Sequence, residues 1–381
     1  MSTRLQKNAA LKKTFWSVAV FYILIAFEFF YMATPFAIYF YSVYGPVLNF
    51  INDSPTLGWL SSIFLPHIVI ETSSLLLNLH NLLGAILALV GFLAFCFCAG
   101  QVYYYKLAHK GVVTGGIYNF IRHPQYLSLA ICSFGLLLLW PRYIVILSFT
   151  SMLFVYYFLA RVEEEECEAK FGRSYLEYKD KTNMFLPFRA SLVDRLPDLP
   201  TAGWQRYTMI LLLYVVASIG AVIVANGLRD WSLNSLYAVY NKNDVYISVA
   251  KVETETLRQA IAIAQADTEV QNRLKSVAGA KFINYILPVE WYIPEIPMWP
   301  VESAIGGRHY SPSNYDRNLL KIIFTKTVLR TAQAEGKEIL LNTVKRTPVI
   351  EAEVDLSKRQ VVNIKAPPTR LMYENINIPL Y

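Results

Sequence analysis

An apolar stretch from residue 126 to residue 160, interrupted once at Trp140-Pro141-Arg142, constrains this chain more than any other feature. As a helix its first arm, 126–139, reaches only about 21 Å, too little to cross ~30 Å of hydrocarbon. Proline lacks a backbone N–H and clashes with the preceding turn, so the helix must break there. The spacing predicts a helical hairpin in which 143–160 runs back along 126–139. Dense polar clusters flank it. Gly116-Ile117-Tyr118 and Arg122-His123-Pro124-Gln125-Tyr126 come before; Glu163-Glu164-Glu165-Glu166, Phe171-Gly172, Tyr175, Tyr178 and Phe185-Leu186-Pro187 follow. Folding back at Pro141 would bring both clusters to one membrane face as a single candidate active site.

Other runs fit the same setting. Residues 14–33 follow Arg4, Lys7, Lys12 and Lys13 and are too long for a signal-peptide core, so they read as a first span starting in the cytoplasm. Pro35 ends or kinks that helix. Glu28 lies inside it and should face the bundle, paired or neutral, with a functional and a structural reading equally open. Residues 57–80 are apolar but broken by Pro66, His67, Glu71, Asn78 and His80, and could span, re-enter or lie at the interface. His67 and His80 read better as interface residues than as a metal or haem pair. Residues 82–105 form a plain span capped by Lys106, His109 and Lys110, and 207–226 another, after a linker with Arg189, Arg195 and Arg206. With 55% hydrophobic and 17% charged residues, against an ordinary ~25% charged, the chain is expected to be an integral membrane protein. Its +7 formal charge flanks apolar runs as topology determinants do, with no basic stripe for nucleic acid. Cys96, Cys98, Cys132 and Cys167 lack zinc-ligand spacing, Cys96-x-Cys98 inside an apolar run reads as small core residues, and no metal is expected.

The fold class expected is an all-α multi-span membrane bundle with a helical hairpin, plus a C-terminal extramembrane α+β domain. The boundaries are 1–110 for N-terminal membrane helices, 111–200 for the core with the hairpin, 201–229 for the last span and 230–381 for the extramembrane domain. In that domain 245–249 and 282–289 read as strands, 252–277 as an amphipathic helix, 315–333 as a helix, and 350–355 with 361–364 as a hairpin. It shows no catalytic constellation, and it faintly resembles small periplasmic PepSY-type domains. The Pro- and Trp-rich loop 288–300 reads either as a docking surface for a protein partner or as a cap on the domain's own core. Counting spans from a cytoplasmic start places the Arg122 loop inside and the tail on the opposite, extracytoplasmic side, provided 57–80 does not cross. If it crossed, Arg122 and the Lys170–Lys181 region would be external, against the positive-inside tendency.

The first cluster has a definable chemistry. Pro124 suits the first turn of a helix, whose free N–H groups favour an anion. Arg122 offers a planar fork for carboxylate or phosphate, and His123 donates or accepts near neutral pH. Gly115-Gly116 permits close backbone approach to a flat ligand, and Tyr118 and Tyr126 supply rings and hydroxyls. The alternative is a basic anchor facing lipid headgroups. Four successive glutamates subtend every face of a helix, so one at least looks back at the hairpin; alone, such a run is most often a solvated helix end. Carboxylates hold ribose hydroxyls or attract a sulfonium, while an arginine holds a carboxylate.

The set Gly-x-Tyr-x-x-x-Arg-His-Pro-x-Tyr, Glu-Glu, Phe-Gly-x-x-Tyr-x-x-Tyr and a closing Leu-Pro resembles the isoprenylcysteine carboxyl methyltransferase family and its phospholipid methyltransferase relatives, over residues 111–188. The resemblance implies a multi-span fold that binds S-adenosylmethionine at the cytoplasmic membrane face and methylates a lipidic or membrane-embedded acceptor entering from the bilayer. It implies that Gly116, Tyr118, Arg122, His123, Pro124 and Tyr126 contact the cofactor from one side and Glu163 and Glu164 from the other, with Arg122 and Glu163 catalytic. Ile117, Cys167 and Thr182-Asn183 depart from the family pattern, mostly in the lid. Two other readings stand beside this one. One is a non-enzymatic subunit of a membrane complex, with the core as scaffold and the tail for docking. The other is a nicotinamide-dependent reductase, since sterol reductases have a similar Arg-His-Pro loop; the glutamates would repel a 2′-phosphate.

Overall fold

The computed structural model describes residues 46, 49–186, 203–277, 279–304 and 308–368. The expected span 14–33, Glu28 and Pro35, and Pro187, Arg189 and Arg195 of the linker lie outside them. The described chain divides into two compact units: His80–Val224 falls in the first, and the chain up to Leu79 joins Ala225 onwards in the second.

The first unit is helical. α1 (Leu75–Leu107), α2 (Pro124–Leu139), α3 (Tyr143–Phe171), α4 (Arg173–Lys181) and α5 (Gly203–Asn234) succeed one another, α1 starting and α5 ending in the second unit. Three of them, α1, α3 and α5, are long and apolar enough to cross a membrane among the described residues. The α2–α3 hairpin forms as the sequence requires. Trp140 N–H closes the last turn of α2 on Leu136 O, and Arg142 caps the start of α3, donating to Trp140 O. The Arg142 guanidinium lies 4.5 Å from the Trp140 ring centroid and is buried, so the turn carries its charge over an aromatic face. α1 packs on α2 through small residues at one-turn spacing. A Cβ on Gly84 would sit 2.9 Å from Gly135 O, and a Cβ on Gly91 or Gly135 would overlap the facing backbone at Cys132 and Ala88. Close backbone approach of this kind is how helices associate where lipid supplies no hydrophobic drive. α5 leans on α3 through Tyr214, whose hydroxyl meets Ser151 at 2.8 Å and whose ring meets Phe154 edge-on. Leu82, Leu89, Phe92 and Phe97 of α1 and Leu211, Leu212 and Ile223 of α5 remain exposed, the surface a bilayer would cover.

The second unit is a six-stranded sheet in the order β1 (Ala238–Tyr240), β2 (Asp244–Ser248), β3 (Phe282–Pro288), β4 (Leu319–Leu329), β5 (Thr343–Asp355) and β6 (Gln360–Lys365). Only β2 and β3 pair in parallel, the crossover being α6 (Thr254–Ala266) and α7 (Thr268–Lys275); a short α8 (Lys337–Asn342) precedes β5. Tyr246, Asn284 and Phe324 share the face covered by α6, where Gln265 donates to the Tyr246 hydroxyl at 2.9 Å. By alternation Lys321, Ile323, Glu351, Glu353 and Lys365 occupy the opposite face.

Several expectations need correction. Within 315–333 the structure has strand β4 (Leu319–Leu329), not helix: Ile322, Ile323 and Phe324 are buried on successive sides because β4 is flanked by β3 and β5 and covered on both faces. A short apolar run does not by itself distinguish the two. The helix expected over 252–277 breaks at Asp267, whose carboxylate accepts from Glu269 N–H and Val270 N–H and starts a new helix. Within 1–110 the described residues hold one helix long and apolar enough to cross a membrane, α1. Residues 58–74 form one turn of 3₁₀-helix (Gly58–Ser61) and then extended chain whose Ile63, Phe64, Leu65, Ile68 and Val69 are buried. Ile70 and Glu71 donate backbone N–H to Val249 O, so this segment packs within the sheet unit. In the 288–300 loop Trp291 is buried, donating to Pro312 O and packing edge-on to Tyr315, so it caps the domain's own core; Trp299 is half-exposed. Among the described residues no group of histidines, cysteines and carboxylates is arranged for a metal, and the His67–His80 pairing does not form one.

Candidate active site

The hairpin returns Glu163 and Glu164 to the loop that carries Arg122 and His123. Arg122 Nε donates to Glu164 Oε1 at 2.6 Å, while its Nη1 donates to the carbonyls of Lys179 (3.0 Å) and Thr182. Glu164 is 1% exposed and also meets Lys179 Nζ at 3.3 Å. A buried carboxylate would be prohibitive alone; here three cationic groups surround it. Two backbone bonds finish the closure, Arg122 N–H to Asn183 O and His123 N–H to Met184 O. The departure at Thr182-Asn183 therefore leaves closure intact, because the contacts are made by backbone carbonyls that any residue supplies.

His123 sits between the two glutamates, Nδ1 3.5 Å from Glu163 Oε2 and Nε2 3.4 Å from Glu164 Oε1. These separations are long for hydrogen bonds, so charge holds the ring more than bond geometry does. A neutral imidazole has one N–H and would turn a lone pair toward one carboxylate. Burial opposes the charged ring, but Glu163 and Glu164 outweigh it and raise the His123 pKa above its ordinary value. Tyr126 stacks on His123 and donates to Glu163 Oε1 at 2.5 Å.

A cavity of about 650 Å³ opens beside this cluster, within the range of small-molecule sites. Tyr118, Arg122, His123 and Glu163 line it. Gly116, Pro124, Tyr126 and Glu164 do not, and each supports a residue that does. Gly116, at φ +67°, opens the 3₁₀ turn that presents Tyr118; Pro124 is the first residue of α2; Tyr126 holds Glu163; Glu164 holds Arg122. The Glu163 side chain is 41% exposed and is the accessible carboxylate of the pair. Tyr178 closes the far wall, donating to Tyr118 O at 2.7 Å. Burial, partly offset by Arg122, lifts its pKa to about 12, so it stays a donor. The Tyr118 hydroxyl is likewise held protonated by burial and donates toward Cys98 O or Gln125 Oε1.

The sequence reading missed part of the lining. Lys106 and His109 served only as topology markers, Cys167 only as a departure from the family pattern and Glu166 as an extra, yet all face the cavity, with Lys170. The signal was present: residues 163, 166, 167 and 170 recur every three or four positions and so share a helix face.

A helical hairpin whose foot gathers an imidazole, a guanidinium and acidic side chains around a cavity of about 650 Å³ defines a helical membrane protein with a polar pocket at that foot. The family model described as phospholipid methyltransferase matches residues 79–174, the segment that carries most of the motifs read in the sequence. The chain is also similar to protein-S-isoprenylcysteine O-methyltransferase of Xenopus laevis, 37% identical over 79 residues, which is 20% of this chain and 27% of the frog protein. About a quarter of that relative's length is thus spanned. No solved structure matches this chain. The family match ends before the tail domain and lends nothing to its PepSY likeness.

Proposed function

We propose that the hairpin core is a membrane methyltransferase that uses S-adenosylmethionine and acts on a lipidic or membrane-associated acceptor. The observation that carries this reading is the cavity, which sets Glu163, His123 and Arg122 side by side within the segment that the phospholipid methyltransferase family model matches. The donor set suits the cofactor. Glu163 and Glu166 offer carboxylates for hydroxyls or a positive centre, Lys106 and Lys170 offer cations for a carboxylate, and Tyr105 and Phe171 offer rings for a base. When bound, S-adenosylmethionine supplies an electrophilic methyl group for in-line displacement. The protein's part is to position and to exclude water. The paired Arg122 and Glu164 fix the loop, Tyr126 and His123 aim Glu163, and Tyr178 caps the cavity. In this arrangement Arg122 positions the site and Glu163 is the group best placed to touch ligand or take a proton from an acceptor. The lysines around the cavity favour a cytoplasmic site.

The test is a titration of detergent-purified full chain with S-adenosylmethionine, followed by labelled methyl transfer in native membranes. Saturable binding that weakens at least roughly tenfold in Glu163→Gln, about 1.4 kcal/mol, is expected. Absence of binding at millimolar cofactor would overturn the reading. Label recovered in the lipid or in the protein fraction then distinguishes acceptor classes.

A further inference from the structure

The tail domain holds a second cavity, of about 450 Å³, between the Trp/Pro loop and the face of β4, β5 and β6 opposite α6. Its walls carry charges of both signs in unusual isolation. Lys321 is 2% exposed and Glu351 3%, yet no carboxylate lies within ion-pair distance of Lys321 among the described residues. The Lys321 ammonium spends one of its three N–H groups on Val289 O, at 2.9 Å. The nearest cation to Glu351 is Lys365 Nζ at 3.9 Å, which is bound more tightly to Glu353. Glu290, also in the wall, has a buried Oε2 with no hydrogen-bond partner.

Burying a cation and carboxylates costs several kcal/mol per ion unless they pair directly, and a fold that needed only stability would be served as well by apolar residues. The register sets Lys321 across from Glu353 and Glu351 across from Lys365, yet Glu353 pairs with the half-exposed Lys365, which leaves the buried Lys321 without a carboxylate at ion-pair distance. Charges held apart around a cavity are satisfied by a ligand that brings the complementary pair.

We infer that this cavity binds a small zwitterion, with Lys321 taking its acid group and Glu351 with Glu290 taking its ammonium. A lone anion would face the carboxylates, and a lone cation would leave Lys321 unmatched. Trp299, half-exposed, and Tyr310 supply apolar wall for a short stem between the two charges. An amino acid and an aminoalkyl phosphate of a lipid headgroup share this chemistry. Burial, relieved only in part by Glu351, Glu353 and Glu290 and reinforced by Lys365, lowers the Lys321 pKa to about 8. An acid group binding there restores the charged amine, so binding just above that pH should take up a proton.

Isothermal titration of the full chain in detergent, with glycine, 4-aminobutyrate and phosphoethanolamine against acetate and methylamine, tests the idea. At least one zwitterion should saturate the protein, with both single-charge controls at least roughly tenfold weaker. Heats measured in two buffers of different ionisation enthalpy should reveal the proton uptake. Preference for phosphoethanolamine would assign a headgroup, and preference for the carboxylates a free amino acid. Lys321→Met, whose melting temperature should not fall, and the milder Glu290→Gln should each weaken binding about tenfold. Silence from all three zwitterions at millimolar concentration, equal binding of acetate or methylamine, or unchanged affinity in both variants would each overturn the inference. S-adenosylmethionine binding, measured on the same preparation, reports the membrane site separately.

Discussion

The membrane core and the tail domain each bury a cation among carboxylates, and they treat the charges in opposite ways. In the core Arg122 and Glu164 touch at 2.6 Å, both largely buried, with Lys179 Nζ beside Glu164 and the carbonyls of Lys179 and Thr182 on Arg122. In the tail Lys321 and Glu351 are just as buried but do not pair. A directly paired set of charges is a clamp: it holds elements together and has less left for a ligand. An unsaturated pair stabilises poorly and has capacity to spare. In the core that capacity lies one residue away, in Glu163, whose side chain is 41% exposed where its neighbour Glu164 is buried.

If the core pair is a clamp, cutting it should have the largest effect on stability. Arg122→Ala strips Glu164 of its closest partner and should cost about 3–5 kcal/mol, read as a lowered unfolding midpoint in detergent. Small loss there would break the distinction between the two regions. Next comes the α1–α2 contact. Gly135→Leu forces a side chain against the Ala88 backbone and should destabilise the core by about 1–3 kcal/mol while the tail, followed by its own tryptophan signal, melts unchanged. The cap that splits the tail's helix pair is smaller still: Asp267→Ala should remove about 1 kcal/mol by thermal unfolding, confined to the tail. The slightest effect is a slope with pH. Because the His123 pKa is raised in the folded protein, its contribution is complete below the ordinary histidine value and is lost as pH rises through the raised one. Core stability should therefore decline across that window in the natural chain and stay level in His123→Gln; parallel slopes would remove the imidazolium from between the glutamates.

Much of the core was legible because local physics leaves few choices. A segment too short to cross, stopped by Trp140-Pro141-Arg142, has to turn back, and Pro124 has to begin a helix. The polar groups at the two feet then meet whatever else the chain does. Less could be read where two structures satisfy the same pattern. Leu319–Leu329 fits a buried helix as well as a central strand, and only neighbours on both edges settle it as β4. Residues 57–74 have the hydropathy of a broken span, and it is the hydrogen bonds to Val249 that assign them to the sheet.

The order of residues by itself determined that this chain enters a membrane, that it folds back at Pro141, and that Arg122 and His123 confront the glutamate run, since helix pitch, chain length and the missing proline N–H act within a few residues of each other. It could not determine which glutamate is buried against Arg122 and which opens to the cavity, nor that Lys321 and Glu351 lie sealed in one face of a sheet without pairing. Burial and pairing are properties of neighbours distant in sequence, and only tertiary packing chooses those neighbours.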